Sequence, residues 1–276
     1  MDTTTARPFR FGAVVGTPDD LARWPTMAQE VESLGYTTLL LPDTLGTPSP
    51  FAGLAAAAVV TTTLRVGSWV LASPYRTVGE VVRDASTLQA LSGGRFELGI
   101  GAGRPGGERD AEDLGMVWGS PGARVDRVEQ VITAVREQVS PVPRIVVAGS
   151  GPRMMRIAGA GADTLAIAVS PVADAEAVRD VAHRARQAAG DRTAELELSL
   201  QITGFGDQIP EWISQRMGMT AADLIAAGAA GVLSRDMPKA VASLRHLREV
   251  AGVSYITVPG GFARALAPLV QELTGT

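Results

Sequence analysis

The sequence predicts one (β/α)8 TIM barrel spanning residues 1–276, and three observations predict it. Short β-branched apolar runs alternate with longer segments of helical period, the mark of a parallel sheet covered by helices. Some runs, such as Ile145-Val146-Val147, are apolar throughout, as strands buried on both faces must be. Barrels of this kind commonly take about 250 residues as one domain. No linker or change of composition marks a second domain, so a closed barrel is preferred to an open doubly wound sheet. Residues 1–7 are polar and are expected to be a flexible start.

The elements follow in order. Residues 9–15 read as the first strand. Thr17 is the expected N-cap of the next helix, with Pro18 at its first position. Leu21, Trp24, Ala28 and Val31 share one face of that helix, which Gly35 ends. Residues 38–41 form a second strand and residues 51–62 an alanine-rich helix. Residues 65–71 are a third strand. Thr77 and Glu80, three apart, form a capping box that opens a helix with Val78, Val81, Val82, Ala85 and Leu88 inward. Ser92-Gly93-Gly94 breaks it before a fourth strand at 96–100.

Val125, Val128, Ile132, Val135 and Val139 mark the fourth helix. Residues 144–148 and 164–169 are the fifth and sixth strands, followed by helices at 152–160 and 174–189. A seventh strand at 196–202 leads into a less regular stretch, 204–236, with two short helical pieces. A helix at 237–250, an eighth strand at 254–258 and a helix at 262–273 complete the series.

Composition removes several chemistries. The net charge of −4 gives no basic excess for a nucleic-acid partner. There is no cysteine, hence no disulfide, thiolate nucleophile or cysteine metal site. The most apolar stretch, 51–60, is much shorter than the roughly 20 residues that span a bilayer. The start lacks an apolar signal core. A soluble, cytoplasmic protein is therefore expected. Lys239, the only lysine, follows Met237-Pro238 and no glycine loop, so a P-loop is absent. His183 and His246 sit in helical segments, far apart, and do not make a zinc site. No Gly-x-Ser-x-Gly elbow supports a hydrolase triad. The spacing of Asp43 and Glu108 does not single them out as a glycosidase pair.

The loops after the strands, where barrel active sites lie, carry mostly glycine, proline, threonine and arginine. A cofactor is the expected carrier of reactivity. Gly101, Gly103 and Gly106 match Gly-x-Gly-x-x-Gly, but Pro105 and a charged loop stand where a Rossmann helix would begin. Ala148-Gly149-Ser150-Gly151-Pro152-Arg153 runs directly from strand into helix. Backbone N–H groups and the helix dipole make that point a natural phosphate site, and Arg153 adds charge. The competing reading is a tight turn with no ligand.

Taken together, the chain resembles the luciferase-like superfamily of flavin and deazaflavin oxidoreductases. The likeness rests on Leu64-Arg65-Val66-Gly67, Pro74-Tyr75-Arg76, and the run Leu91-Ser92-Gly93-Gly94-Arg95-Phe96-Glu97-Leu98-Gly99-Ile100-Gly101-Ala102-Gly103. Leu41-Pro42-Asp43, Arg124-Val125-Asp126-Arg127-Val128-Glu129, the phosphate-loop segment and Gly252-Val253-Ser254-Tyr255-Ile256-Thr257-Val258 support it. Similarity is greatest to the members that use the deazaflavin F420. The resemblance implies a luciferase-like barrel, a dimer, and a cofactor ring in the barrel mouth. Its phosphate would meet Ala148, Gly149, Ser150, Gly151 and Arg153, with Gly101, Ala102, Gly103, Arg104 and Asp43 close by. It also implies a non-proline cis peptide, here Trp69–Val70, backing the ring. Arg104, Arg109 and Arg153 would suit the acidic tail of F420.

Two positions depart from the family pattern. Thr44 stands where many relatives have histidine after the aspartate. Arg104 stands where sugar-phosphate dehydrogenases of the family have glutamate and many other members tryptophan. Both argue against sugar-phosphate chemistry and leave the proton donor open among Asp43, Thr44, Tyr75, Glu108 and water. The short Ser140-Pro141-Val142-Pro143 connection replaces a longer insertion, and the expectation drawn from it is an open mouth suited to a bulky natural-product or peptide intermediate. The leading reading is an F420-dependent reductase or dehydrogenase acting on a C=C, C=N or C=O bond. An FMN-dependent monooxygenase and a non-catalytic flavin-binding relative are the alternatives.

Overall fold

The computed structural model describes residues 6–16 and 20–276. The expected helix start at Thr17 and Pro18, and most of the expected flexible start, lie outside the described residues.

The chain builds a closed, all-parallel barrel. The strands are β1 (Arg10–Val14), β2 (Thr38–Leu41), β3 (Arg65–Ser68), β4 (Leu71–Ala72), β5 (Phe96–Gly101), β6 (Arg144–Gly149), β7 (Thr164–Ile167) and β8 (Glu197–Gln201), with β11 (Val253–Pro259) last. They follow the order β3-β2-β1-β11-β8-β7-β6-β5-β4, and a β3–β5 pairing closes the ring. Eight positions result because β3 and β4 are two halves of one strand. The sequence reads 65–71 as continuous, but the ladder stops after Ser68 and resumes at Leu71.

The helices lie where their sequence signals put them. After a 3-10 turn at Leu21–Arg23, capped by Asp20, come α1 (Trp24–Ser33), α2 (Pro50–Val60) and α3 (Val78–Leu91). The Thr77–Glu80 capping box is present, and Gly93 and Gly94 turn the chain away at φ of 61° and 84°. A short α4 (Glu108–Asp113), not expected, precedes α5 (Pro121–Gln138). Then come α6 (Pro152–Gly161) and α7 (Ala175–Ala189). Between β8 and α10 (Met237–Ala251) lie the two expected helical pieces, α8 (Glu211–Met217) and α9 (Ala221–Ala226). They come with an unexpected parallel pair, β9 (Gly204–Phe205) with β10 (Val232–Leu233). The α11 helix (Ala263–Leu273) ends the chain's regular structure. Among the described residues no helix is long and apolar enough to cross a membrane.

Outward-facing strand side chains, including Phe11, Leu39, Phe96, Leu98 and Ile256, pack with the helices into one apolar core. Leu21 does not join Trp24, Ala28 and Val31 there. It sits in the 3-10 turn rather than in the helix, and is 59% exposed.

The barrel interior begins with charge. At the N-terminal ends of the strands, Arg10 donates from Nε and Nη2 to Glu197 (2.9 and 2.7 Å) and from Nη1 to Glu97 (3.0 Å). Arg65 Nε donates to Glu97 at 2.6 Å and Thr164 Oγ1 to Glu197 at 2.7 Å. The Arg10 guanidinium lies 3.4 Å from the centre of the Tyr255 ring.

The Ser140-Pro141-Val142-Pro143 connection does not open the mouth. It precedes β6 at this same N-terminal end, where Gln89 Nε2 donates to Pro141 O at 3.1 Å. A helix-to-strand connection in a parallel barrel lies opposite the mouth, so its length does not bear on substrate access.

Candidate functional site

At the other end, the C-terminal ends of all the barrel strands surround a cavity of about 1300 Å³. That exceeds the roughly 300–1,000 Å³ of ordinary ligand pockets. Asp43, Thr44, Trp69, Val70, Tyr75, Gly101, Ala102, Gly103, Arg104, Ala148, Gly149 and Ser150, all expected from the sequence, line it. Glu108, Gly151 and Arg153 do not. Glu108 and Arg109 are exposed on α4. Arg153 turns outward, paired with Asp126 and 3.9 Å from Glu129 on α5. Only Arg104, of the three arginines expected to meet an acidic tail, reaches the cavity.

The floor is built where β3 breaks. The Trp69–Val70 bond is cis, as the resemblance implies. Trp69 turns its ring edge-on to Tyr255 (centroids 6.0 Å apart, 74° between planes). Its indole Nε1 donates to Gln201 Oε1 at 3.2 Å. Ser68 bridges the gap in the ladder: its hydroxyl donates to Gly99 O at 2.8 Å and accepts from Gly99 N at 3.0 Å.

The β6–α6 turn forms one wall. Gly151 is the N-cap of α6, at φ −73° and ψ 149°, and brings no side chain to the cap. Helices α3, α5, α7, α9 and α10 instead cap themselves with Thr77, Ser120, Asp174, Thr220 and Asp236. The first N–H groups of a helix have no partner within it. Those of Arg153 and Met154 find no acceptor among the described residues. A Cβ on Gly151 would meet nothing within 4 Å. The arrangement leaves the positive end of a ten-residue helix open to an anion. Gly103, at φ 86°, turns the β5 loop under Trp118, a conformation that favours glycine.

The polar groups of the mouth are mostly engaged. Asp43 holds Arg76 through both oxygens and accepts from Ala72 N at 3.0 Å, tying the β2 loop to β4. Arg104 donates to Asp110 at 2.9 Å, and the Tyr75 hydroxyl lies 3.2 Å from both Asp110 Oδ2 and Gly107 O. Burial, reinforced by the Asp110 charge, pushes the Tyr75 phenol up to about 12. Thr44 Oγ1 has no protein partner among the described residues. The outer wall comes from Arg23 and Met27 on one side and Trp212, Gln215 and Arg216 of α8 on the other, with Phe262 beside them. Gln201 and this outer wall are lining residues that the sequence reading missed.

The sequence model of the luciferase-like monooxygenase family matches residues 1–228. An uncharacterised protein of Mycobacterium tuberculosis is 28% identical over 137 residues, 41% of this chain and 47% of that protein. The chain thus aligns with about half the length of the curated relatives it matches. The F420-dependent tetrahydromethanopterin reductase of Methanopyrus kandleri superposes with a TM-score of 0.71 at 15% identity, covering 97% of this chain and 99% of that one. A riboflavin lyase, solved with modified FMN and riboflavin, gives 0.74 at 13% identity, covering 96% and 92%. At these identities the likeness to both structures is one of fold.

Proposed function

The chain belongs to the luciferase-like monooxygenase family, and from that premise we propose that it is an F420-dependent oxidoreductase. It would transfer a hydride between the deazaflavin and a C=C, C=N or C=O bond of a natural-product or peptide intermediate, acting as a single-domain, cytoplasmic homodimer. The observation that carries the cofactor reading is the glycine-capped start of α6, whose N–H groups have no partner among the described residues and whose turn lines the same cavity as the Trp69–Val70 floor. The residues present fit the group. Gly149, Ser150 and the N–H groups of Arg153 and Met154 would hold its phosphate, and Trp69, Val70 and Gly101 would support its ring. The large cavity leaves room for a second, bulky molecule between α1 and α8. The preference for F420 over FMN rests on the sequence resemblance.

When bound, F420 supplies the hydride, and the chain contributes orientation. Asp43, held at both oxygens by Arg76, fixes the β2 and β4 loops against each other. Tyr75 has a single O–H to give, and the two atoms within its reach, Asp110 Oδ2 and Gly107 O, both accept it within the wall. Thr44, whose hydroxyl at the mouth has no protein partner among the described residues, is the group assigned to pass a proton from water.

Titration of the protein with F420 and with FMN tests the reading. Binding of F420 supports it. Binding of FMN alone replaces it with the monooxygenase reading, and bound F420 with no turnover on any acceptor favours a non-catalytic relative. Gly151→Asp sharpens the test. Aspartate is a preferred N-cap, the space is open, and its carboxylate would take the N–H groups offered to phosphate. Thermal stability is expected to hold or rise. Cofactor affinity is expected to fall about 10- to 100-fold, the worth of one or two charge-assisted hydrogen bonds. Unchanged affinity would remove the phosphate from this loop.

A further inference from the structure

Gln201 ends β8, and its side chain reaches the floor of the mouth. A glutamine amide can be flipped, but here the neighbour decides its orientation. The indole N–H is a donor only, so the group facing Trp69 Nε1 at 3.2 Å must be the carbonyl oxygen. The amide nitrogen therefore points away from Trp69 with two N–H donors. No protein acceptor meets it among the described residues, and it is not among the buried polar atoms left without a partner. It opens on the cavity.

The orientation is held from below. Arg10 packs on Tyr255, Tyr255 meets the edge of Trp69, and Trp69 fixes Gln201. The ion cluster at the base of the barrel thus supports a donor pair at its mouth. The neighbouring floor side chains, Val14, Val70, Ala148 and Ala168, are apolar. A flat heterocycle seated on such a floor buries its carbonyl oxygens, and buried acceptors require donors.

We propose that the Gln201 amide donates a hydrogen bond to a carbonyl oxygen of the cofactor's heterocyclic ring. The assignment rests on the reading of the mouth as a flavin-type cofactor site. It makes Gln201 a binding residue that sets the ring's register on the floor, separate from the phosphate loop.

Gln201→Glu is the discriminating variant. It keeps an oxygen for Trp69 Nε1, removes the donors and faces the ring carbonyl with a second acceptor. Gln201→Leu removes both functions. Wild type and both variants are titrated with F420 and with FMN, following ring absorbance, and each is melted as a check on folding. The expected result is a wild type that binds one of the two, and a Gln201→Glu protein that melts close to it yet binds at least 10-fold more weakly. The shift of the ring absorption on binding is expected to shrink with it. If Gln201→Glu binds like wild type and only Gln201→Leu fails, Gln201 acts solely by holding Trp69. The assignment is then overturned while the cofactor reading stands. If wild type binds neither cofactor, both fall together.

Discussion

Replacing Glu97 by glutamine is expected to destabilise the protein by about 3–5 kcal/mol, the cost of breaking a buried ion pair by removing one partner. Glu97 is fully buried at the base of the barrel between Arg10 and Arg65, with Arg144 Nε 4.0 Å away. The amide keeps the volume but leaves Arg10 and Arg144 with Glu197 and Arg65 with no carboxylate partner among the described residues. For a protein of this size the loss corresponds to a melting temperature lower by roughly 6–20 °C, readable by calorimetry. The same group sets a pH dependence. Burial opposes its charge, but Arg10, Arg65 and Arg144 outweigh burial and hold the carboxyl below its ordinary 4.5. A group whose folded value is depressed binds fewer protons in the folded state. Its contribution is complete above about pH 4.5 and is lost as pH falls through the folded value. Wild type is expected to lose stability on acidification below pH 4.5, and the Glu97→Gln variant to show a flatter slope there. A variant that melts like wild type would show the cluster to be dispensable.

Gly99→Ala is expected to cost at least about 3 kcal/mol and to disable the mouth. A Cβ on Gly99 would lie 2.0 Å from Ser68 O and 3.0 Å from a Val70 methyl. The obstacle is backbone, which no rotamer change relieves. Strands β3 and β5 would have to separate, losing both Ser68–Gly99 hydrogen bonds. Overpacking of about 1–3 kcal/mol and two hydrogen bonds of about 1 kcal/mol each add to that loss. Because Ser68 adjoins Trp69, the floor moves too, so cofactor affinity should fall even where the variant folds. Gly79→Ala is the control. That glycine lies in α3 with nothing within 4 Å of its Cβ position, and alanine in a helix is expected to be neutral or stabilising by about 0.5–1 kcal/mol. Equal melting of the two variants would refute the close-approach account.

Local signals carried most of the fold. The Thr77–Glu80 box, the glycines after α3 and the apolar β6 run each act within a few residues, and each element formed near its expected place. Leu21 shows the limit: its period was right, but the helix begins three residues later, so the side chain never reaches the core. The floor residues Trp69 and Val70 were named through the family likeness, whereas Gly101 and the wall residues Gly149 and Ser150 stood out in the glycine-rich loops themselves. Gln201 had a signal of its own that went unread. Glu197, Ser199 and Gln201 alternate with leucines, which marks one face of that strand as polar and hence as barrel interior. Glu97 likewise stands between Phe96 and Leu98, a charge that needs a buried partner.

The sequence by itself determined the alternation of strands and helices, their caps and breaks, and the strand-to-helix glycine turn at Gly149-Ser150-Gly151. These depend on backbone preferences and on which residues repeat with the period of a helix or a strand. Only the tertiary structure decided that Arg153 pairs with Asp126 instead of facing the mouth, that Tyr75 is spent on Asp110, that residues 140–143 lie at the far end, and that Trp69 orients Gln201. Each of these joins residues distant in sequence. Closing the ring brings β1, β5 and β8 around one interior, and no local pattern specifies which side chains then meet.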